Sequence, residues 1–270
     1  MESTYALVTG AAGGIGLEVA RRLARRGHRV IAVDRDEALS ERAAQQIGAG
    51  AIPVACDLAD RAAVTRLCAR LEQEWADEVE VCFLNAGVIV PGDVADIAAA
   101  DIDLQLEVML GSAVQLARSA AVVLRARGRG HIVATVSQGG LLALPGSATY
   151  SAAKAGLRAF LAALHLELRA YGVTVGGVYP SAVDTAMLRF EATHGGSLLN
   201  FVGAVSSVGQ VGDAVEKLMR TGRCEAFVPV SDGIAVRVLQ QFPTLVALLL
   251  PWADRVGERG RRRFLTSIGQ

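Results

Sequence analysis

Short apolar runs alternate along this chain with longer segments rich in Ala, Leu, Glu and Arg. The apolar runs are typical of buried strands, and there are seven of them: residues 5–8, 29–33, 51–55, 79–84, 131–136, 174–178 and 226–230. The longer segments predict helices over residues 17–26, 62–75, 102–125 and 151–170. Continuously apolar strands separated by helices favour a parallel sheet covered on both faces. The pattern therefore predicts a single α/β domain with a doubly wound, seven-stranded parallel sheet.

Two segments depart from this alternation. Residues 186–209 scatter glycines among apolar side chains and are too long for an ordinary connection. We interpret them as a substrate loop, with a plain surface excursion as the alternative. Residues 234–252 are strongly apolar and predict a helix that Pro243 interrupts. We expect this segment to form core or oligomer contacts in preference to docking on a membrane.

The domain division follows from these segments. Residues 1–270 form one domain, with the substrate loop at 186–209 and a C-terminal extension at 234–270. Four arginines near the end of the extension are most simply a solvated surface, and an anionic partner is the alternative. These arginines are Arg259, Arg261, Arg262 and Arg263.

The composition narrows the class of protein. Apolar residues make up 52% of the 270 positions, and 27 basic residues balance 27 acidic ones, which argues against disorder and against binding to nucleic acid. The apolar stretch 242–253 has 12 residues, whereas a membrane span needs about 20, so no span is predicted. An apolar strand begins close behind Met1 without a basic leader, and a cytoplasmic protein is expected.

The four cysteines and four histidines are scattered along the chain. They form neither a Cys-x-x-Cys pair nor a Cys and His cluster at ligand spacing. We therefore expect reduced thiols and predict no metal site.

A glycine-rich loop directly follows the first predicted strand and precedes a helix. Its candidate cofactor contacts are Gly10, Gly13, Gly14, Ile15 and Gly16. The free N–H groups and the dipole at a helix start favour a pyrophosphate. The second strand ends at Asp34, 18 residues after Gly16, where a carboxylate can bind ribose hydroxyls. Asp34 would repel a 2′-phosphate and favours NAD, while Arg35 leaves NADP as the less favoured alternative.

Tyr150 and Lys154 lie four residues apart at the start of a predicted helix, so they project from the same face. A tyrosine titrates near pH 10 in water, and a nearby positive charge would make it a more useful acid or base. Lys154 is one of only two lysines among the 27 basic residues. Ser137 stands at the carboxyl end of the fifth strand, where open α/β sheets bind ligands and a hydroxyl can contact a substrate oxygen.

Together these residues resemble the short-chain dehydrogenases/reductases from Thr4 to about Val230. Further matching motifs are Asp57-Leu58 after the third strand, Leu84-Asn85-Ala86-Gly87 after the fourth, and Pro180-Ser181-Ala182-Val183-Asp184-Thr185 after the sixth. The resemblance implies a single-domain Rossmann fold. It adds to the candidate cofactor contacts Asp57, Leu58, Asn85, Ala86, Gly87, Tyr150, Lys154, Pro180, Val183 and Thr185.

The resemblance also implies the catalytic roles. Tyr150 would be the general acid/base, Ser137 would orient the substrate oxygen, and Lys154 would lower the tyrosine's pKa and hold the nicotinamide ribose. The Tyr-to-Lys spacing is similar to that of the alcohol dehydrogenase and ketone reductase branch.

Three residues depart from the family's motifs. Leu84 replaces an asparagine, and Ser181 replaces a glycine near the nicotinamide. Met109 stands where the family usually has an asparagine that supports a water relay to the lysine. Because methionine is not a hydrogen-bond donor, we expect lower activity or an unusual substrate.

Two functions remain open at this point. The first is an NAD-dependent oxidoreductase acting on a secondary alcohol or ketone, with a small, lipophilic substrate suggested by the apolar residues of 186–209. The second is an NAD-binding protein with little turnover and a sensing or assembly role, which Met109 favours. Apolar faces on residues 102–125 and 151–170 predict a homodimer or homotetramer, in which the resemblance implies that these two helices pair.

Overall fold

The computed structural model describes residues 4–269. Its sheet contains seven parallel strands in the order β3-β2-β1-β4-β5-β6-β7. The strands are β1 Tyr5–Thr9, β2 Arg29–Asp34, β3 Ile52–Ala55, β4 Val79–Leu84, β5 Gly130–Thr135, β6 Val173–Pro180 and β7 Glu225–Val228. The predicted doubly wound, seven-stranded sheet is confirmed, and all seven strands overlap their predicted runs.

Ten α-helices are present in the part of the chain that the structure describes. They are α1 Gly14–Arg25, α2 Glu37–Ile47, α3 Arg61–Gln73, α4 Ala99–Leu106, α5 Ser112–Arg127, α6 Ala148–Leu168, α7 Ala186–His194, α8 Val208–Thr221, α9 Val230–Leu239 and α10 Pro243–Ser267. A π-helical turn, Glu107–Gly111, joins α4 to α5. The predicted helix over 102–125 is therefore three helical segments in sequence.

The core has one layer on each face of the sheet. Helices α3, α5 and α6 cover one face, while α1 and α8 pack on the other. Alternate residues of β1 enter opposite layers: Leu7 belongs to the layer of α3, α5 and α6, and Val8 belongs to the layer of α1 and α8. Because both faces of the central strands β1, β2, β4, β5 and β6 are largely buried, these strands read as continuous apolar runs.

One helical stretch, Ala99–Arg127, is long and apolar enough to cross a membrane, and 44% of its most apolar window is buried inside the protein. Leu116, Ala120 and Leu124 of this stretch lie in the core layer beneath the sheet. Its apolar composition is therefore explained by packing within the fold.

The two segments that depart from the alternation are more regular than the sequence indicates. Residues 186–209 contain α7 and a 3₁₀ turn at Leu198–Phe201. Pro243 does not interrupt a helix but begins α10, where its missing N–H costs no hydrogen bond. Of the core or oligomer contacts expected for residues 234–252, the core contacts are wrong, because most of the apolar side chains are exposed. The oligomer contacts stay a prediction.

Candidate active site

The glycine-rich loop bends tightly between β1 and α1. Gly10 (φ +65°) and Gly14 (φ +53°) adopt the left-handed backbone conformation that glycine tolerates best. A Cβ on Gly16 would collide with the carbonyl oxygen of Gly10. Gly13 precedes α1 and no described side chain caps the helix, which leaves its first N–H groups available to an anion. The loop thus fits the pyrophosphate of a dinucleotide.

The Asp34 carboxylate at the end of β2 forms a hydrogen bond with this loop. Its Oδ2 accepts a hydrogen bond from the backbone N–H of Ala12 at 2.8 Å, and its Oδ1 accepts one from Arg35 at 2.9 Å. The Arg35 guanidinium is exposed and lies 3.7 Å from Asp36. After β3, the Asp57 carboxylate caps the turn by accepting from Ala59 N at 3.0 Å, and Leu58 is buried.

Asn85 and Thr9 join the carboxyl ends of three strands. The Thr9 hydroxyl oxygen accepts from the backbone N–H of Asn85 at 2.9 Å and of Ala86 at 3.1 Å. The Asn85 side chain donates to Thr9 O at 3.2 Å and accepts from the Thr135 hydroxyl at 2.9 Å. These bonds hold the ends of β1, β4 and β5 at one edge of the sheet.

The sheet edge and α6 bring Ser137, Tyr150 and Lys154 together. Lys154 is buried and its Nζ donates to the carbonyl oxygen of Thr135 at 2.8 Å. The same Nζ lies 5.8 Å from the centre of the Tyr150 ring. The Ser137 hydroxyl accepts from Gly139 N at 3.0 Å, and Ser137 lines the same cavity as Tyr150.

Burial shifts the titration of both groups on α6. It raises the pKa of Tyr150 to about 12, while the bond to Ser137 lowers that pKa and the charge of Glu191 raises it. Burial also lowers the pKa of Lys154 to about 8. The lowering of the tyrosine's pKa by Lys154 stays a prediction.

Glu191 on α7 is a residue of the site that no sequence motif indicates. It is 6% exposed, and its Oε1 accepts from Asn200 Nδ2 at 3.0 Å. Burial raises its pKa to about 7, against the lowering effect of Asn200. Glu191 is the one carboxylate in residues 186–209, and that isolation within an apolar segment was the available signal.

These groups surround a cavity of about 290 Å³. Among the predicted site residues, those that line it are Gly10, Gly13, Gly14, Ile15, Asn85, Ala86, Gly87, Ser137, Tyr150, Lys154, Pro180, Val183 and Thr185. The predicted cofactor contacts outside its lining are Gly16, Asp34, Arg35, Asp57 and Leu58. In residues 4–269 no group of three or more His, Cys, Asp or Glu is placed to hold a metal ion.

The family model described as short chain dehydrogenase matches residues 4–194. This chain belongs to that family. Short-chain dehydrogenases are oxidoreductases that bind NAD(P), which agrees with a glycine loop opening onto Ser137, Tyr150 and Lys154.

Two curated short-chain dehydrogenases and one solved structure show how broad the similarity is. A 1-deoxy-11-beta-hydroxypentalenate dehydrogenase of Streptomyces exfoliatus is 35% identical over 195 residues, 70% of each chain. The 3-oxoacyl-acyl-carrier-protein reductase of Escherichia coli is 30% identical over 188 residues, 70% of this chain and 77% of the relative. A bulky-bulky ketone specific alcohol dehydrogenase of Comamonas testosteroni superposes with a TM-score of 0.75 and 25% identity, covering 92% of this chain and 94% of that one.

Met109 is the main departure from the short-chain dehydrogenase motifs. It is buried in the π-helical turn, and a Cβ on Gly87 would lie 3.8 Å from its sulfur. With Thr9, Ser112 and Lys154 it lines a void of only about 10 Å³ behind the active site. The Ser112 hydroxyl donates to Val108 O at 2.8 Å. Methionine thus fills the space with an apolar side chain beside the lysine.

Proposed function

We propose that this chain transfers a hydride between NAD(H) and a secondary alcohol or ketone, with Tyr150 as the general acid/base. The observation that carries the proposal is the shared cavity, in which Ser137, Tyr150 and Lys154 face the glycine loop. Bound nicotinamide would accept or return the hydride. The residues of the chain supply binding, orientation and proton transfer.

The proton transfer follows from the geometry. In the oxidation direction, ionised Tyr150 takes the hydroxyl proton of the alcohol as the carbon-bound hydrogen leaves with its electron pair. Ser137 holds the substrate oxygen next to the phenol, because its hydroxyl lines the same cavity as Tyr150. Lys154, held by Thr135 O, places a positive charge close to the ring when protonated and favours the phenolate.

The walls of the cavity support a lipophilic substrate. Leu144, Met187 and Leu188 line it, and Glu191 and Asn200 form a hydrogen-bonded polar pair in the same lining. A 1-deoxy-11-beta-hydroxypentalenate dehydrogenase and a bulky-bulky ketone specific alcohol dehydrogenase are among the similar proteins. Apolar walls also exclude water from the hydride path.

NAD is the proposed cofactor in preference to NADP. The Asp34 carboxylate lies at the end of β2, bonded to the glycine loop, and it would repel a 2′-phosphate placed there. Arg35 is the one residue that favours NADP, and its exposed side chain leans toward Asp36.

Tyr150→Phe tests the proposed chemistry. Secondary alcohols of aliphatic, terpenoid and steroidal types are offered with NAD⁺, and NADH formation is recorded. Loss of the phenolic proton acceptor should lower kcat by about 10²–10⁴-fold. Tyr171→Phe is the matched control, because Tyr171 is exposed and does not line the cavity.

The alternative is an NAD-binding protein with little turnover, favoured by Met109 beside Lys154. Tight NADH binding without turnover of any alcohol or matching ketone would support it. Turnover that survives in Tyr150→Phe would contradict the proposed role of Tyr150.

A further inference from the structure

Exposed apolar side chains concentrate on two consecutive helices after β7. On α9 and α10 these residues are Val230, Ile234, Val238, Leu245, Leu248, Leu249 and Trp252. Ile234 is 62% exposed, Trp252 60% and Leu248 75%. Soluble proteins rarely expose so many large apolar residues on neighbouring elements unless the surface binds something.

The exposed residues of α10 form one face that continues into basic residues. Leu245, Leu248, Leu249 and Trp252 recur at i, i+3, i+4 and i+7. The same spacing leads through Val256 to two arginines. This face, from Leu245 to Arg263, is called the α10 face below.

The arginines of the α10 face are Arg259 and Arg263, and neither forms an ion pair with another residue in 4–269. By contrast, Arg261 and Arg262 are both paired with Glu258. Arg259 and Arg263 line a second cavity, of about 440 Å³, beside the aromatic ring of Phe201. Free guanidinium groups next to apolar walls suit an amphipathic anion.

The charge of α10 is distinct from that of the whole protein. The helix contains five arginines and two carboxylates, Asp254 and Glu258, while the chain as a whole has a net charge of 0. Asp254 lies two residues beyond Trp252 and Glu258 six, so the helical spacing turns both away from the α10 face. The α10 face therefore includes two arginines and no carboxylate.

We propose that the α10 face docks on the surface of an anionic phospholipid bilayer. Leu245, Leu248, Leu249 and Trp252 enter the boundary between headgroups and acyl chains, and Arg259 and Arg263 bind lipid phosphates. This combination of an apolar stripe, an interfacial tryptophan and flanking arginines is what an interfacial helix requires. The helix lies along the surface and does not span it, since the uncharged run 238–253 has 16 residues and is divided between two helices.

A second copy of the chain fits the α10 face less well. Pairing two such faces would bring the free arginines of both copies to a surface that offers no carboxylate among its own residues. Like charges brought together oppose association, whereas an anionic membrane supplies the missing negative charge.

Docking would also place the active site near the lipid. Gly257 and Gly260 of α10 lie so close to the carbonyl oxygens of Leu198 and Phe201 that a Cβ at either would collide with them. Asn200, between those two contacts, bonds to Glu191 in the wall of the catalytic cavity. A lipophilic substrate dissolved in the bilayer would thus be close to the segment that closes this cavity.

Vesicle co-sedimentation of the full chain tests the proposal and does not depend on turnover. Vesicles of phosphatidylcholine with phosphatidylglycerol should bind the protein, pure phosphatidylcholine should bind it far less, and added salt should weaken binding. Arg259→Ala with Arg263→Ala should lower the partition coefficient about 30-fold, since each basic residue near the surface contributes a factor of about five. Leu248→Gln should also weaken binding, because it removes apolar insertion.

Matched controls separate docking from general charge and stability effects. Arg42→Ala with Arg220→Ala makes the same charge change on exposed residues of α2 and α8. Val94→Gln changes an exposed apolar residue in the loop between β4 and α4. Neither control should alter vesicle binding. The proposal would be overturned by equal binding to both vesicle types or by an unchanged partition coefficient in the arginine variant. It would also be overturned if the protein bound no vesicles while Leu248→Gln dissociated an oligomer, and that result would favour a second copy of the chain on the α10 face.

Discussion

At the scale of single residues, the site combines side chains of two kinds. Ser137, Tyr150 and Lys154 stand out in the sequence through spacing and strand position. Glu191 does not, because its importance comes from burial next to Asn200 and from its charge near Tyr150. Its isolation in an apolar segment was a weak signal that only the fold makes meaningful.

Glu191→Gln should change how stability depends on pH. The folded-state pKa of Glu191 is raised to about 7, above its unfolded value of about 4.3, so the folded protein holds this proton after the unfolded chain has lost it. The stabilisation is complete below the unfolded pKa and is lost as pH rises through 7. Thermal melts measured from below pH 4 up to pH 8 check this. Over that range the unfolding free energy of wild type should fall by about 1–3 kcal/mol relative to that of Glu191→Gln.

The same substitution should move the activity profile. Removing the Glu191 charge takes away an influence that raises the pKa of Tyr150, so the rising limb of alcohol oxidation should shift to lower pH. Glu41→Gln, an exposed change on α2, is the control for both measurements. A rising limb with the same midpoint pH in wild type and Glu191→Gln would contradict this role.

Asp34→Asn should change the choice of cofactor. The amide oxygen can still accept from Ala12 N, but the negative charge that opposes a 2′-phosphate is gone. We expect the ratio of NADP to NAD affinity, measured by fluorescence titration, to rise about tenfold, the effect of roughly 1.4 kcal/mol. Asp60→Asn at the start of α3 should leave the ratio as it is, and an unchanged ratio in Asp34→Asn would remove Asp34 from the ribose site.

At the scale of elements, periodicity predicted the seven strands and most of the core helices. It did not predict the π-helical turn at Glu107–Gly111 or the start of α10 at Pro243, because both depend on how the neighbouring segments pack. The seating of α10 likewise depends on a long-range contact. Its glycines approach the 198–201 turn, which lies far away in the sequence.

Gly260→Ala tests that contact. The added methyl group would collide with the carbonyl oxygen of Phe201, and relieving the overlap should cost about 1–3 kcal/mol of unfolding free energy. Gly209→Ala on α8 is the matched control, because a Cβ there meets only ordinary contacts and should be neutral or slightly stabilising. Equal melting temperatures for Gly260→Ala and wild type would contradict the prediction. They would mean that α10 can shift away from the 198–201 turn at no cost in stability.

At the scale of the whole molecule, two apolar surfaces call for different partners. Val122 on α5 and Leu166 on α6 are exposed, on the helices that the family resemblance pairs across a two-fold axis. A dimer or tetramer through these helices stays a prediction. The α10 face lies on a different helix and carries the positive charge of Arg259 and Arg263.

Leu166→Glu should therefore weaken self-association. Leu166 is 71% exposed, and a carboxylate repeated across a symmetric interface adds repulsion. Light scattering during size exclusion should show a dimer or tetramer for wild type and a shift toward monomer for the variant. Val94→Glu is the control, and a monomeric wild type at micromolar concentration would contradict the prediction.

The fold class, the glycine loop and the catalytic spacing can be predicted from the amino-acid sequence, since they depend on local periodicity and on positions relative to strand ends. The entry of Glu191 and Asn200 into the catalytic cavity, the packing of Met109 beside Lys154 and the exposure of the apolar face of α10 depend on the folded structure. Burial, proximity and pKa depend on which distant segments pack together, and that packing is a property of the whole chain.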